Sequence, residues 1–229
     1  MTCVVIPTYN ERDNIRPMVE ALLGLEISEP LNVLVVDDNS PDGTGVIADK
    51  LATENSRVAV LHRTEKAGLG KAYVAGFKCA LEYGATRVVQ MDCDFSHDPA
   101  ALPSLLAEEG DLVIGSRYVE GGSTPGWPFK RRLISRAGGL FIRVVTGMPI
   151  KDPTGGFKVW KRELLEKMDL DSIASAGYSF QLEMNHRAWK LGAKIIEHSI
   201  TFTDRTRGVS KITAGIATES IKIALKLHR

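Results

Sequence analysis

Five short apolar runs, at residues 3–6, 32–36, 58–61, 87–91 and 112–114, alternate with four amphipathic stretches near 11–24, 42–54, 69–83 and 99–108. Short strands separated by helices of 10–15 residues join through right-handed βαβ crossovers, which build a mostly parallel sheet flanked by helices. Helix starts are marked by Asn10 before the first, and by Ser40-Pro41 and Asp98-Pro99, each a capping side chain followed by a first-turn proline. After about residue 116 the alternation breaks. The glycine-rich GGSTPGW reads as a loop, 129–147 as a helix and 152–160 as a short strand beside the site. Helices at 161–168 and 178–191, a strand at 194–201, a polar loop at 202–211 and a last helix at 212–228 complete the expectation. The chain is thus predicted to be α/β, with one domain over 1–211 and a C-terminal amphipathic helix over 212–229.

Composition narrows the function. A hydrophobic share of 44% over 229 residues is ample for a core, and a net charge of +1 gives nucleic acid no electrostatic footing as the main partner. Cys3, Cys79 and Cys93 are odd in number and widely spaced, which predicts reduced thiols in a cytosolic setting and no disulfide or zinc framework. The first residues enter a strand directly, without the basic start of a signal peptide. No apolar run reaches 18 residues, so a soluble or surface-lying protein is expected.

Polar clusters stand at three predicted strand ends, where open α/β sheets bind ligands. The first is Pro7-Thr8-Tyr9-Asn10-Glu11, in which Tyr9 suits a base and Glu11 suits base or ribose donors. The second is Asp37-Asp38-Asn39-Ser40, whose carboxylates suit ribose hydroxyls or a loop brace. The third is Asp92-Cys93-Asp94, where an i, i+2 spacing lets two carboxylates converge on one divalent cation that keeps positions open for a diphosphate. Lys66-Ala67-Gly68-Leu69-Gly70-Lys71 fails as a phosphate loop, because Ala72 replaces the metal-binding Ser/Thr and Glu65 the first glycine. No GxGxxG follows the first strand. Phosphates are therefore expected on metal and basic side chains.

With Ile6-Pro7-Thr8-Tyr9-Asn10-Glu11, Val35 to Ser40, Met91 to Asp94 and Gly115-Ser116-Arg117-Tyr118, the chain resembles inverting family 2 glycosyltransferases of the GT-A (Rossmann-like) fold. Within them it is most similar to polyprenol-phosphate (dolichyl-phosphate) mannosyltransferases, through GSRY, GWPFKRRLIS and Asp204-Arg205-Thr206-Arg207-Gly208-Val209-Ser210-Lys211. The resemblance implies that Pro7, Tyr9, Glu11, Val36 and Asp38 hold the guanosine of GDP-mannose. Asp92, Cys93 and Asp94 would lie at the diphosphate, with Asp92 and Asp94 on Mg²⁺ or Mn²⁺. Arg117, Arg205 and Lys211 would reach donor or acceptor phosphate, and Asp94, Arg117 and Arg131 would carry the chemistry. Cys93 departs from the small alanine usual there and is read as a backbone contributor, not a nucleophile. The alternative is UDP-glucose or another nucleotide sugar on the same lipid.

Residues 128–147 place Leu133, Ile134, Ala137, Leu140, Phe141, Val144 and Val145 on one stripe, with Lys130, Arg131, Arg132, Arg136 and Arg143 off it and no acid between. Such a helix suits the headgroup layer of a membrane; a helix packed on the sheet with a solvated basic face is the other reading. Arg131 and Ser135, one turn apart, suit a shared anion, and the resemblance places the acceptor phosphate on Arg117, Arg131 and Ser135. The last helix repeats the pattern with Ile212, Ile216, Ile223 and Leu227 against Lys222, Lys226 and Arg229, charges that the helix dipole also explains. Without the membrane spans of some relatives, attachment to the cytoplasmic side of a membrane is expected to be peripheral, or through an anchoring partner protein. A lipid monophosphate, with a second pKa near ~6, is already nucleophilic at neutral pH, so no general base is required. His97, beside the two acids, is read as support or helix entry.

Overall fold

A computed structural model describes residues 1–175, 177, 179–205 and 223–227. Seven strands form one sheet: β1 (Thr2–Thr8), β2 (Leu31–Asp37), β3 (Val58–His62), β4 (Arg87–Gln90), β5 (Leu112–Ser116), β6 (Lys158–Lys161) and β7 (Ile195–Ser199), in the order β3-β2-β1-β4-β6-β5-β7. Pairing is parallel except for β6, which runs antiparallel to both β4 and β5. The predicted strand at 152–160 thus begins only at Lys158, because 151–155 is a loop around buried Asp152.

Alternate strand residues feed two cores. Val4, Ile6, Val33, Val35 and Val89 pack under α1 (Ile15–Leu23), α2 (Thr44–Glu54) and α4 (Leu102–Ala107). Cys3, Val5, Leu34, Val36 and Val88 pack under α3 (Leu69–Glu82), α6 (Arg162–Lys167) and α7 (Ser179–Lys190). Burial on both faces explains why the strands read as near-continuous apolar runs. α3 lies close: a methyl at Gly76 would meet Val5 Cγ1 at 2.4 Å and Val36 Cγ2 at 2.9 Å. Of the final helix, 223–227 is helical, and Ala224, Ile223 and Leu227 pack on the second core rather than facing outward. Ile212, Ile216, Lys222 and Arg229 lie outside the described residues.

Two helix starts differ from expectation. α1 begins after Asn14, because Asn10 takes a left-handed turn (φ 57°) and its N–H donates to Ser40 Oγ. α2 begins after Gly43, because the Ser40 hydroxyl is spent on Asp37 at 2.6 Å. Asp98 does cap, accepting from the Ala100 N–H ahead of a short 3₁₀ turn that leads into α4.

Sheet order reverses between β1 and β4, so their carboxyl ends open a crevice. The non-glycine residues with positive φ among those described are Asn10, Asn39 and Phe95, which follow β1, β2 and β4 at this same rim. Backbone strain of that kind concentrates where geometry serves ligands.

Candidate functional site

Two cavities meet at the crevice. The smaller, about 120 Å³, is lined by Pro7, Tyr9, Glu11 and Asp38 on the β1–β2 side and by Asp92, Cys93, Asp94 and Arg205 on the other. Glu11 is fixed by the Asn14 amide, which donates to Oε2 at 2.8 Å. Asp38 pairs with Arg63 at 2.5 Å; burial pushes its carboxyl above the usual range, against the pull of that guanidinium. Asp37 turns away and braces the loop, accepting from Thr8 Oγ1 and from the Ser40 hydroxyl and N–H. Val36 is wholly buried beneath the site and does not line it. Lys66 caps the Tyr9 ring at 4.0 Å, and Gly68 (φ 100°) begins α3 at the cavity wall. The rejected phosphate loop therefore borders the site after all, through a lysine and a helix N-terminus.

Asp92 and Asp94 line both cavities. Asp92 Oδ1 accepts from the Tyr73 hydroxyl at 3.0 Å. Desolvation pushes its carboxyl up; nearby His97 acts against that shift and Asp94 adds to it. Asp94 accepts from the Ser96 N–H at 3.0 Å, a turn made possible by left-handed Phe95, and holds Arg205 at 2.8 Å. Buried His97 leans on Phe157 and Phe202, and burial pushes its imidazole down.

The larger cavity, about 1120 Å³, runs from these acids beneath α5 (Phe129–Thr146). Its walls include Trp127, Ile134, Phe141, Ile200 and Phe202. α5 rests on the body through Gly139, Ile142 and Thr146, while Leu133, Ile134, Leu140 and Val144 stay exposed, Val144 at 74%. The stripe is therefore unpartnered, except that Val145 turns inward onto the core. Arg131 lies over Trp127 at 3.8 Å and pairs with Asp204 at 2.7 Å, and Ser135 accepts from the Tyr118 hydroxyl at 2.5 Å. Both line the cavity with Arg117. Arg117 makes a two-pronged pair with buried Asp152, 2.7 Å on each prong. Burial alone would raise the Asp152 carboxyl; the guanidinium more than offsets it and holds the group low. Lys211 lies outside the described residues.

Beneath this floor sits Lys158, with no exposure. Burial pushes its ammonium down to about 7, against the pull of Asp152 and Asp92. Its Nζ donates to Gln181 Oε1 at 2.6 Å.

The glycosyl transferase family 2 profile matches residues 3–169. The chain belongs to glycosyl transferase family 2. It is 47% identical over 219 residues to an undecaprenyl-phosphate mannosyltransferase of Micrococcus luteus, covering 95% of this chain and 89% of the relative. It is 45% identical over 224 residues to a polyprenol monophosphomannose synthase of Mycolicibacterium smegmatis, covering 96% and 84%. Among solved structures it shares its fold with glucosyl-3-phosphoglycerate synthase of Mycobacterium tuberculosis bound to Mn²⁺, UDP and glucosyl-3-phosphoglycerate (TM-score 0.70, 20% identity, covering 100% and 79%). A mannosyltransferase of Pyrobaculum calidifontis with GDP-Man and Mn²⁺ aligns at TM-score 0.56 and 20% identity, over 99% of this chain and 62% of that one. In this family 2 glycosyltransferase the sequence reading missed Lys66, Asp152, Lys158 and Gln181. The KAGLGK segment was the one signal available for Lys66; the other three stood in stretches read as a strand and a helix without site chemistry.

Proposed function

We propose that the chain transfers mannose from GDP-mannose to the phosphate of a polyprenyl phosphate, inverting the anomeric carbon to give a β-linked product. The observation that carries this reading is the junction: a small polar cavity and a large apolar-walled one share Asp92, Asp94 and Arg205, in a chain nearly half identical to two polyprenyl-phosphate mannosyltransferases. Tyr9, Glu11 and Asp38 bind the guanosine, and Lys66 and Arg205 face the diphosphate.

The acids fit a divalent cation, Mg²⁺ or Mn²⁺. Two carboxylates of like charge face one space, and no cluster of three or more His, Cys, Asp or Glu side chains arranged for a metal occurs among the described residues. Asp92 and Asp94 would hold such an ion with positions left open, as hard cations are held, and it would supply charge neutralisation for the departing GDP. Arg205, held on Asp94 and lining both cavities, supplies positive charge to the phosphates at the junction.

The acceptor phosphate enters beside Arg131 and Ser135. The Arg131–Asp204 pair is about half exposed and costs little to exchange for phosphate. Arg117 stays in place, oriented by Asp152, and screens the approach of one anion to another. The dianionic headgroup attacks without a base. No helix among the described residues is long and apolar enough to cross a membrane, and the exposed face of α5 supports peripheral binding to a membrane surface. The test incubates purified protein with polyprenyl phosphate and GDP-mannose, UDP-glucose or GDP-glucose, with and without Mn²⁺. Metal-dependent mannosyl transfer from GDP-mannose is expected; transfer only from another donor, or none, overturns the reading.

A further inference from the structure

Gln181 opens a hydrogen-bond chain that the transfer mechanism does not use. Its Oε1 accepts from Lys158 Nζ and from Gln90 Nε2, each at 2.6 Å. Gln90 Oε1 in turn accepts from the Trp160 indole N–H at 3.3 Å. An indole N–H only donates, so the Trp160 end alone dictates the orientation of Gln90 and, through it, of Gln181. Gln181 Oε1 therefore points down into the protein and Nε2 points up.

The upward side is the floor of the larger cavity, where Gln181 lines the wall beside Asp92, His97 and Gly156. A methyl built on Gly156 would lie 3.1 Å from His97 Cε1, 3.5 Å from Asp92 Oδ2 and 3.7 Å from Gln181 Nε2. A glycine thus keeps open one small space bounded by a carboxylate, an imidazole edge and an amide donor. Gln181 Nε2 has no hydrogen-bond partner among the described residues. The space adjoins Asp92, one of the residues that both cavities share.

We infer that Gln181 reads the transferred hexose, donating from Nε2 to one of its ring hydroxyls, with Lys158 and Gln90 as positioning residues that fix the amide. This rests on the sugar-transfer reading above and adds how the sugar is selected. A fixed donor favours hexoses that present an oxygen at that point and penalises those that leave the amide unpaired.

The test compares wild type, Gln181→Glu and Lys158→Met by calorimetric binding of GDP and by kcat/KM for GDP-mannose and its singly deoxygenated analogues, all with Mn²⁺. Gln181→Glu keeps an acceptor for Lys158 and Gln90 and replaces the donor by a carboxylate oxygen, whose added charge faces Lys158 Nζ. GDP affinity is expected within about twofold of wild type, while kcat/KM for GDP-mannose falls about 10- to 100-fold. In wild type one deoxy analogue loses a similar factor, and in Gln181→Glu that analogue loses nothing further. Lys158→Met, with the amide no longer pinned, blunts the same discrimination without abolishing it. Equal weakening of GDP and GDP-mannose, or unchanged selectivity across the deoxy series in Gln181→Glu, overturns the inference. If Gln181→Glu melts early, Gln181→Asn withdraws the donor by one bond length and is scored by the same outcomes. Should wild type use a different nucleotide sugar, the mannose reading fails, and the deoxy series of the donor it does use still decides the role of Gln181.

Discussion

Lys158 is buried with no exposure, and the desolvation of its ammonium has a consequence for stability. Its folded value of about 7 lies below the 10.5 of an ordinary lysine. Between those values the unfolded chain holds a proton that the native protein has released, so native stability rises as pH climbs from about 7 towards 10.5. The gain vanishes as pH falls through 7. Urea unfolding across that window should show wild type gaining roughly 1 kcal/mol per pH unit relative to Lys158→Met. Parallel curves would mean that the ammonium keeps its proton. Asp92→Asn and Asp94→Asn remove negative charge from the cavity junction without changing shape. Each is expected to lower kcat/KM at least ~100-fold and to weaken Mn²⁺ binding measured by calorimetry; melting temperature should be kept or raised in Asp92→Asn, where a repulsion is relieved, and lowered in Asp94→Asn, which loses its ion pair with Arg205. Metal affinity unchanged in both would place the ion elsewhere. Lys158 was not legible in Phe157-Lys158-Val159-Trp160: a lysine in a short strand reads as a solvent-facing position, and only the strand's place between β4 and β5 buries both faces. Asp152 was hidden for a related reason, since an acid at the start of a predicted strand reads as solvated until its arginine, 35 residues away, is seen.

Among the helices, α5 was legible as an amphipathic element, but its attachment was not. The periodicity marks one apolar stripe, whereas the helix docks by Gly139, Ile142 and Thr146 and leaves most of that stripe outside. A small residue lets the backbone approach the Lys151 carbonyl, a methyl at Gly139 lying 3.4 Å from it, and no hydrophobicity pattern marks such a contact. Ile134→Ser with Val144→Ser removes two of the most exposed apolar side chains and touches no packed one. Vesicle affinity measured by co-sedimentation with anionic vesicles should fall about 30-fold, given roughly 1 kcal/mol lost per partly inserted side chain. Melting temperature should hold. Undiminished vesicle binding would leave the face without a membrane role. α3 offers the opposite case, a helix with no room to spare. Gly76→Ala drives a methyl into Val5 and Val36 and is expected to cost about 1–3 kcal/mol in chemical denaturation. A neutral change would mean that the sheet yields easily there.

Across the whole molecule, the alternation of the first half was enough to specify β1 to β5 and their helices, because each βαβ unit is local in sequence. The direction and place of β6 were not, since an antiparallel insertion between β4 and β5 depends on a return of more than 40 residues through α5. That insertion matters: β6 carries Lys158, its preceding loop carries Asp152 and Gly156, and together they supply the floor on which the two cavities join. The strand-end clusters were readable as ligand residues because the switch between β1 and β4 gathers them, whereas their division of labour, Asp38 facing the cavity and Asp37 bracing the loop, depended on hydrogen bonds to Thr8 and Ser40. The central claim is that donor and acceptor meet at Asp92 and Asp94. Anomalous diffraction from a crystal grown with GDP-mannose and Mn²⁺ tests it most directly. The account requires a manganese peak within coordination distance of both carboxylates, carrying the diphosphate, with the hexose directed into the cavity beneath α5. A manganese-bound nucleotide seated away from the ends of β1 and β4 would contradict it.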